Sequence, residues 1–524
     1  MRPVFLALAI TAAACGGHPK PVTAPAAPAP AGPALAPPRL SIPPATPCPA
    51  SCTATGRLAQ DLDALFGAPA LRQAIWSIRI QSLDTGELIY ALNPDTLVVP
   101  ASNMKIVTLS TTAERLGWDH QFETRLETAA PLVGGTLRGD VFVVGSGDPS
   151  INTREGDRDA VFASWADTLR QAGITRIEGR LVGDDNAFDD VPFGGGWEWD
   201  DIAYGYGAPI GALQFNEDLV QLTVRPGDQV GAPAVASANP PENGLEIVSR
   251  VVTTAPGTEP DLEFSRLPGS TRLEVRGTVP LGRAEIAREV SVDNPTLFFV
   301  RSLRAALVAR GIAVTGDASD IDDVLPTGAP ADATPRRVLA RHLSPPLSVT
   351  GRTLMKVSQN LYAETFLRAL SAVPGPASVA ASRKIEEEVL TSWGIAPGNY
   401  ALADGSGLSR HNLVTASTIV RILQVMAQTP RHAQAFEGTL PIAGVDGTIA
   451  GRMKATRAGN NVKAKTGTLT SVRALSGYLS TLDGERVVFS IIANHFTVPT
   501  RVVDTAVDAA LERLANLSKD SRTR

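Results

Sequence analysis

Three short motifs carry side chains that could act together on an acyl group. Ser102-Asn103-Met104-Lys105 stands at the start of the apolar stretch Lys105 to Leu116. On a helix, residues three apart share a face with Cβ atoms about 5–6 Å apart, so hydroxyl and amine point the same way. Serine is a weak nucleophile until a base takes its proton, and a neutral lysine can be that base. A lysine at its reference pKa of about 10.4 is charged at neutral pH. It must fall by roughly 3 units, which burial and a neighbouring cation both promote. Ser358-Gln359-Asn360 falls in the helical run Leu354 to Leu370. It offers a second hydroxyl for proton transfer and an amide for a substrate carbonyl. Lys465-Thr466-Gly467 lies in Val462 to Leu469, which alternates like an edge strand. Lysine and threonine there can hold a carboxylate, and glycine removes a side chain where an extended peptide must lie alongside.

Singly, each motif has a bland alternative. Ser-x-x-Lys is expected about twice by chance in a chain of this length, as a helix-start serine with an exposed lysine. Ser-x-Asn is as cheap, and Ser237-Ala238-Asn239 matches it too, running into Pro240-Pro241 in a loop-like stretch. Lys-Thr-Gly can be the end of a hairpin. The informative feature is their order in helix, helix and strand contexts. Competing schemes are absent from the sequence: no Gly-x-Ser-x-Gly elbow, no Walker A pattern and no GxGxxG after a strand.

The elements that must position these residues come from both ends of the chain. Arg57 to Phe66 places Leu58, Leu62, Leu65 and Phe66 on one helical face. Ala74 to Ser82 and Leu88 to Leu92 read as strands joined by Asp84-Thr85-Gly86-Glu87. Ser476 to Ser480 and Arg486 to Ala493 read as a second hairpin, followed by the amphipathic helix Thr500 to Leu517. One sheet built from both termini is the expectation. Residues 119 to about 340 instead show short strand signals, including Thr136 to Gly145, Arg176 to Gly183 and Leu219 to Arg225, with one clear helix, Asn294 to Arg310.

Length and composition bound the rest. The 524 residues are ample for about three domains and too many for one β-lactamase-sized unit. A net charge of −5 spread along the chain argues against nucleic acid as a partner. Three cysteines and six histidines form no CxxC and no HExxH, so no metal site and no cofactor are expected. Arg2 and the apolar run Val4 to Ala14 read as an export signal, too short for the about 20 residues that span a bilayer. Ala12-Ala13-Ala14-Cys15 suggests a lipoprotein signal with Cys15 acylated, although Ala12 stands where Leu is usual; the alternative is an ordinary signal peptide. A Pro/Ala-rich tether follows, holding 12 of the 40 prolines between Pro19 and Pro49. Cys48 and Cys52 within it are a disulfide or two free thiols.

Taken together, the motifs are the set shared by serine β-lactamases and penicillin-binding proteins. Over residues 57 to 515 the chain resembles the class C low-molecular-mass penicillin-binding proteins, the D-alanyl-D-alanine carboxypeptidase/endopeptidases of peptidoglycan. The resemblance extends to Tyr206-Gly207-Ala208-Pro209-Ile210, Phe215-Asn216-Glu217, Asp293-Asn294-Pro295 and Asn360-Leu361-Tyr362-Ala363-Glu364. It also takes in Ala403-Asp404-Gly405-Ser406-Gly407-Leu408-Ser409-Arg410 and Pro441-Ile442-Ala443-Gly444-Val445-Asp446-Gly447-Thr448. It implies an α/β fold, a β-lactamase/transpeptidase-like α+β sandwich, with a large nested, β-rich insertion between the first two motifs. The expected divisions are 1–15 signal, 16–54 tether, 55–118 and 341–524 catalytic domain, 119–227 and 284–340 a second domain, and 228–283 a third within it.

The roles so implied are Ser102 as acylated nucleophile, Lys105 as base, and Ser358 and Asn360 for proton shuttling and orientation. Lys465 and Thr466 would hold the terminal D-Ala carboxylate, Gly467 would leave room for the bound peptide, and the N–H groups of Ser102 and Thr468 would bind the oxyanion. Gln359 and Thr468 replace the more frequent Asp and Ser. Asp184 and Asp185 are expected to meet the amine, and Arg410 the carboxylate, of a meso-diaminopimelate side chain. The implied partners are peptidoglycan stem peptides, β-lactams as covalent inhibitors and a membrane reached through a lipid. The alternatives are a non-catalytic lipid-anchored peptidoglycan-binding protein and a β-lactamase.

Overall fold

The chain's two ends meet in one antiparallel sheet. The computed structural model describes residues 53–324, 335–372 and 377–519, so Cys15, Cys48, Cys52 and nearly all of the tether lie outside the described residues. The sheet's strand order is Leu88–Leu92, Ile75–Ser82, Arg486–Asn494, Val472–Ser480, Lys463–Leu469. Its N-terminal and C-terminal strands register from Ile75 opposite Asn494 to Ser82 opposite Val487. Alternation sends neighbouring side chains to opposite faces. Val487, Phe489 and Ile491 accordingly join one core, Val488 and Ile492 the other.

Helices cover both faces for reasons written in their stripes. Ala54–Phe66 buries Leu58, Leu62, Leu65 and Phe66, and Thr500–Ala515 buries Val503, Val507, Ala510 and Leu511, both in the first core. The opposite face takes Met104–Leu116, Leu347–Lys356, Asn360–Ala369 and Ala416–Gln428. Capping sets their starts: Thr53 accepts from Gly56 N at 3.0 Å, and Thr415 from Thr418 N at 3.0 Å. This is an α+β arrangement, and Lys463–Leu469 is its edge strand.

Between these strands the chain builds separate sheets around another core. One holds Ala318–Asp320, Leu181–Asp184, Val141–Val144, Glu123–Thr128 and Arg337–Leu343; a second holds Ala313–Val314, Arg176–Ile177, Thr136–Leu137 and Leu132–Val133. Thr136 to Gly145 and Arg176 to Gly183, each read as one strand, are each two strands in different sheets. The breaks fall near Gly139 and Gly179, where the lack of a side chain lets the backbone change direction. Helix Pro295–Ala309, capped by Asn294 on Leu297 N at 2.7 Å, packs Phe298, Phe299 and Leu303 onto this core. Glu246–Thr254, Arg272–Pro280 and Asp261–Ser265 form a three-stranded sheet, and Val251, Phe264 and Val275 enter the same core. Ser237-Ala238-Asn239 sits in a strand, Val235–Asn239, paired with Leu219–Arg225, not in a loop. Among the described residues no helix is long and apolar enough to cross a membrane.

Candidate active site

Ser102 lies in a single 3-10 turn, Ala101–Asn103, that feeds helix Met104–Leu116. Ala101 adopts φ 46°, a left-handed conformation that a non-glycine residue keeps only under tertiary constraint. Two glycines clasp this turn. A Cβ on Gly407 (φ +83°) would collide with the Ala101 carbonyl oxygen, and one on Gly467 would stand 2.6 Å from Pro100 O and 3.2 Å from Asn103 N. Gly467 therefore makes room for the protein's own turn. Asn103 Nδ2 donates to Lys465 O at 3.0 Å and fixes the turn to the edge strand.

Lys105 is fully buried. Its Nζ reaches Ser102 Oγ at 3.0 Å, Asn360 Oδ1 at 2.6 Å and Ser406 O at 2.7 Å. Three acceptors match the three N–H groups of an ammonium; the neutral amine gives up one and turns a lone pair to the serine. Burial drives this lysine down to about 7, against the charges of Asp404 and Glu364, which pull it up. The pKa shift the motif demanded is supplied by burial.

Ser358 does not sit inside a continuous helix. Helix Leu347–Lys356 ends, Ser358 turns left-handed at φ 64°, and helix Asn360–Ala369 begins with the Gln359 side chain accepting from Leu361 N at 3.0 Å. A left-handed residue cannot propagate a right-handed helix. The break leaves Ser358 Oγ 2.8 Å from Lys465 Nζ. Asn360 is held at both ends, its Nδ2 donating to Tyr206 O at 2.8 Å. Lys465 is buried too, and burial plus the nearby Lys105 charge hold it well below the usual lysine range. Thr466 Oγ1 meets Thr448 Oγ1 at 2.8 Å, and Thr468 accepts from the Arg473 guanidinium.

These groups open onto a cavity of about 440 Å³, lined by Ser102, Ser358, Asn360, Thr466, Thr468 and Arg410. Its acidic wall is not the expected one. Asp184 pairs with Arg336 at 3.4 Å, and Asp185 accepts from Thr296 Oγ1 at 2.5 Å while burial and the nearby Asp320 push it up to about 7. Neither lines the cavity; Asp184 closes a core strand of the insertion and Asp185 follows it. Glu198 and Asp201 line it instead. Glu198 bonds Arg410 Nε at 3.0 Å, Asp201 accepts from the Tyr206 hydroxyl at 3.0 Å, and burial raises the Asp201 carboxyl. The only local signal for this pair is the aromatic and acidic density of Trp197-Glu198-Trp199-Asp200-Asp201.

Two fully buried carboxylates shape the turn behind Lys105. Glu364 Oε1 accepts from Gly405 N at 3.1 Å and Ser406 N at 2.8 Å. Asp404 accepts from Gly407 N at 2.7 Å, Ser409 N at 2.6 Å, Asn412 Nδ2 at 2.6 Å and Trp197 Nε1 at 2.9 Å. Trp197 thereby ties the loop carrying Glu198 and Asp201 to the turn that meets the lysine.

Residues 58–517 match the D-Ala-D-Ala carboxypeptidase 3 (S13) family. A D-alanyl-D-alanine carboxypeptidase of Actinomadura sp. (strain R39) is 34% identical over 484 residues, 89% of this chain and 87% of that one. The D-alanyl-D-alanine carboxypeptidase DacB of Haemophilus influenzae is 29% identical over 423 residues, 80% and 85% of the two chains. The crystal structure of penicillin binding protein 4 from Haemophilus influenzae superposes with a TM-score of 0.75 at 26% identity, covering 87% of this chain and 97% of that one. The same protein complexed with a β-lactam gives 0.69, with 87% and 98% covered. A match that takes in the strands of both termini and the whole insertion between them places the chain in the D-Ala-D-Ala carboxypeptidase 3 (S13) family, among the class C low-molecular-mass penicillin-binding proteins.

Proposed function

We propose that the protein is a serine-type D-Ala-D-Ala carboxypeptidase and DD-endopeptidase that cleaves peptidoglycan stem peptides through an acyl-enzyme on Ser102. Neutral Lys105 takes the Ser102 proton as Oγ attacks the carbonyl of the penultimate D-alanine. The N–H groups of Ser102 and Thr468 stabilise the oxyanion. Ser358 passes a proton to the departing amine, and water then hydrolyses the ester. Lys465 lies behind Ser358 beside Thr466, so a substrate's terminal carboxylate brings the negative charge that this buried lysine lacks. The observation that carries the reading is the buried Lys105 amine, 3.0 Å from Ser102 Oγ and brought down to about 7.

At the cavity's outer wall, Arg410 suits the side-chain carboxylate, and Glu198 and Asp201 the amine, of a meso-diaminopimelate residue. Export and acylation of Cys15 complete the reading; membrane association unchanged by Cys15→Ser would remove the lipid.

Intact-mass measurement after benzylpenicillin tests the chemistry. A lasting adduct on the wild type, absent from Ser102→Ala, is expected, together with D-Ala release from stem peptides. No adduct, or one that survives the substitution, overturns the reading. Rapid penicillin turnover would point to a β-lactamase, and stem-peptide binding without D-Ala release to a non-catalytic protein.

A further inference from the structure

A second open cleft, of about 620 Å³, shares Asp201 and Tyr206 with the catalytic cavity. One side is the loop that carries Trp199, Asp200 and Tyr204; the other is formed by strands Asp261–Ser265 and Arg272–Pro280. Glu263 and Arg276 are direct cross-strand partners there. The Tyr204 and Tyr206 rings lie parallel with centroids 5.6 Å apart, and Tyr204 meets Phe264 edge-on, also at 5.6 Å. Trp199 is 60% exposed and Tyr206 47%. Large aromatic faces left open inside a concave site gain the fold nothing, and they mark a surface that a ligand covers.

The chemistry of the cleft narrows the ligand. Aromatic faces suit a ring with an apolar side. Asp200, Asp201 and Glu263 accept hydrogen bonds, and Arg276 donates them. Three carboxylates against one guanidinium disfavour a polyanion. A pyranose bearing hydroxyl and acetamido groups satisfies all three conditions. A cavity of about 440 Å³ holds a ligand of only a few residues, so the rest of a longer substrate must lie beyond it. The stem peptide is joined to an amino sugar at the end opposite its D-alanines.

We propose that this cleft is an accessory subsite for the N-acetylated amino sugar that carries the stem peptide, which rests on the functional reading above. Tyr206 is the wall between the two sites: it lines both, and its main-chain oxygen accepts from Asn360. A sugar seated there anchors the peptide's far end while Ser102 acts on the near one.

The test uses the full chain and three substrates: a disaccharide-pentapeptide, the same pentapeptide without sugar, and a sugar-free cross-linked peptide dimer. The wild type is expected to show a KM about tenfold lower for the sugar-bearing pentapeptide than for the bare one. Trp199→Ala and Glu263→Gln, both at exposed positions, should erase most of that difference. Turnover of the bare pentapeptide and the rate of benzylpenicillin acylation should not change. Equal KM values in the wild type overturn the proposal, as does a Trp199→Ala effect of equal size on both pentapeptides. A preference that follows the sugar-free dimer overturns it in favour of a second peptide strand. If benzylpenicillin still acylates Ser102 while the sugar preference is missing, only the subsite fails; if no adduct forms, the functional reading fails.

Discussion

The Glu364 carboxylate accepts the Ser406 N–H at 2.8 Å, and the carbonyl of that same serine meets Lys105 Nζ at 2.7 Å. One buried acid thus sets the position of the base and, together with Asp404, pulls Lys105 up against the effect of burial. Acylation by benzylpenicillin should rise with pH through about 7 in the wild type. Glu364→Gln keeps an acceptor for Ser406 but removes a negative charge, so the protonated lysine loses support. Its acid limb should move to lower pH, measured as acylation rate against pH. Glu364→Ala also leaves Arg368, 3.4 Å away and fully buried, without its ion-pair partner. Unfolding in urea should then show a loss of about 3–5 kcal/mol.

Replacing the base itself separates catalysis from folding. Lys105→Met keeps the volume of the buried side chain and should slow acylation by about 10²–10⁴-fold. Its effect on stability depends on pH. The folded-state pKa lies below the unfolded one, so between about 7 and 10.5 the unfolded chain binds the extra proton and stability climbs with pH. The variant should lose this lysine's share of that climb, and urea titrations at pH 7 and pH 10 would show the shallower rise.

Gly467→Ala should injure the site more than the fold. The new Cβ meets main-chain atoms of the Ser102 turn, 2.6 Å from Pro100 O and 3.2 Å from Asn103 N, and these cannot swing aside as a side chain would. Displacement of the nucleophile by about 1 Å costs on the order of 100-fold in rate, whereas overpacking of this kind costs roughly 1–3 kcal/mol. Acylation rate and thermal midpoint, measured on the same preparation, check both halves.

The parts of this site that could be read from sequence are those with a local signature. Ser102 and Lys105 share a helical face, Lys463–Leu469 alternates as an edge strand, and the terminal helices carry their apolar stripes. The break at Ser358 had no such signature. Met355, Tyr362 and Phe366 fit one uninterrupted helical period, and the left-handed turn depends on distant partners: Lys465 on Ser358, and Glu217 on Gln359 at 2.7 Å. Glu364 and Arg368 look like a solvent-facing i,i+4 pair, yet both are fully buried, Glu364 under the Gly405-Ser406 turn and Arg368 against the Val191 carbonyl of the insertion, to which it donates at 3.0 Å. Asp184-Asp185 and Asp200-Asp201 are equally acidic pairs on paper. Which of them meets the cavity is decided by how the insertion packs, not by either pair's neighbours in sequence.

That last distinction can be measured. Asp201→Asn should raise KM several-fold for stem peptides whose third residue ends in an ammonium group and leave peptides without that amine unaffected. Asp185→Asn should not change KM for either, because Asp185 faces Thr296 and does not line the cavity. Its effect belongs to stability. The folded-state pKa of about 7 lies above the ordinary 3.8, so the native protein holds a proton that the unfolded chain has lost, and stability falls between those values as pH rises. Asparagine keeps an acceptor for Thr296 and cannot ionise. The variant should be free of this decline and gain on the wild type as pH rises from about 4 to about 7, with a constant difference above that, which urea unfolding at pH 4, pH 6 and pH 8 would resolve. A KM effect in Asp185→Asn with none in Asp201→Asn would return the amine to the first pair.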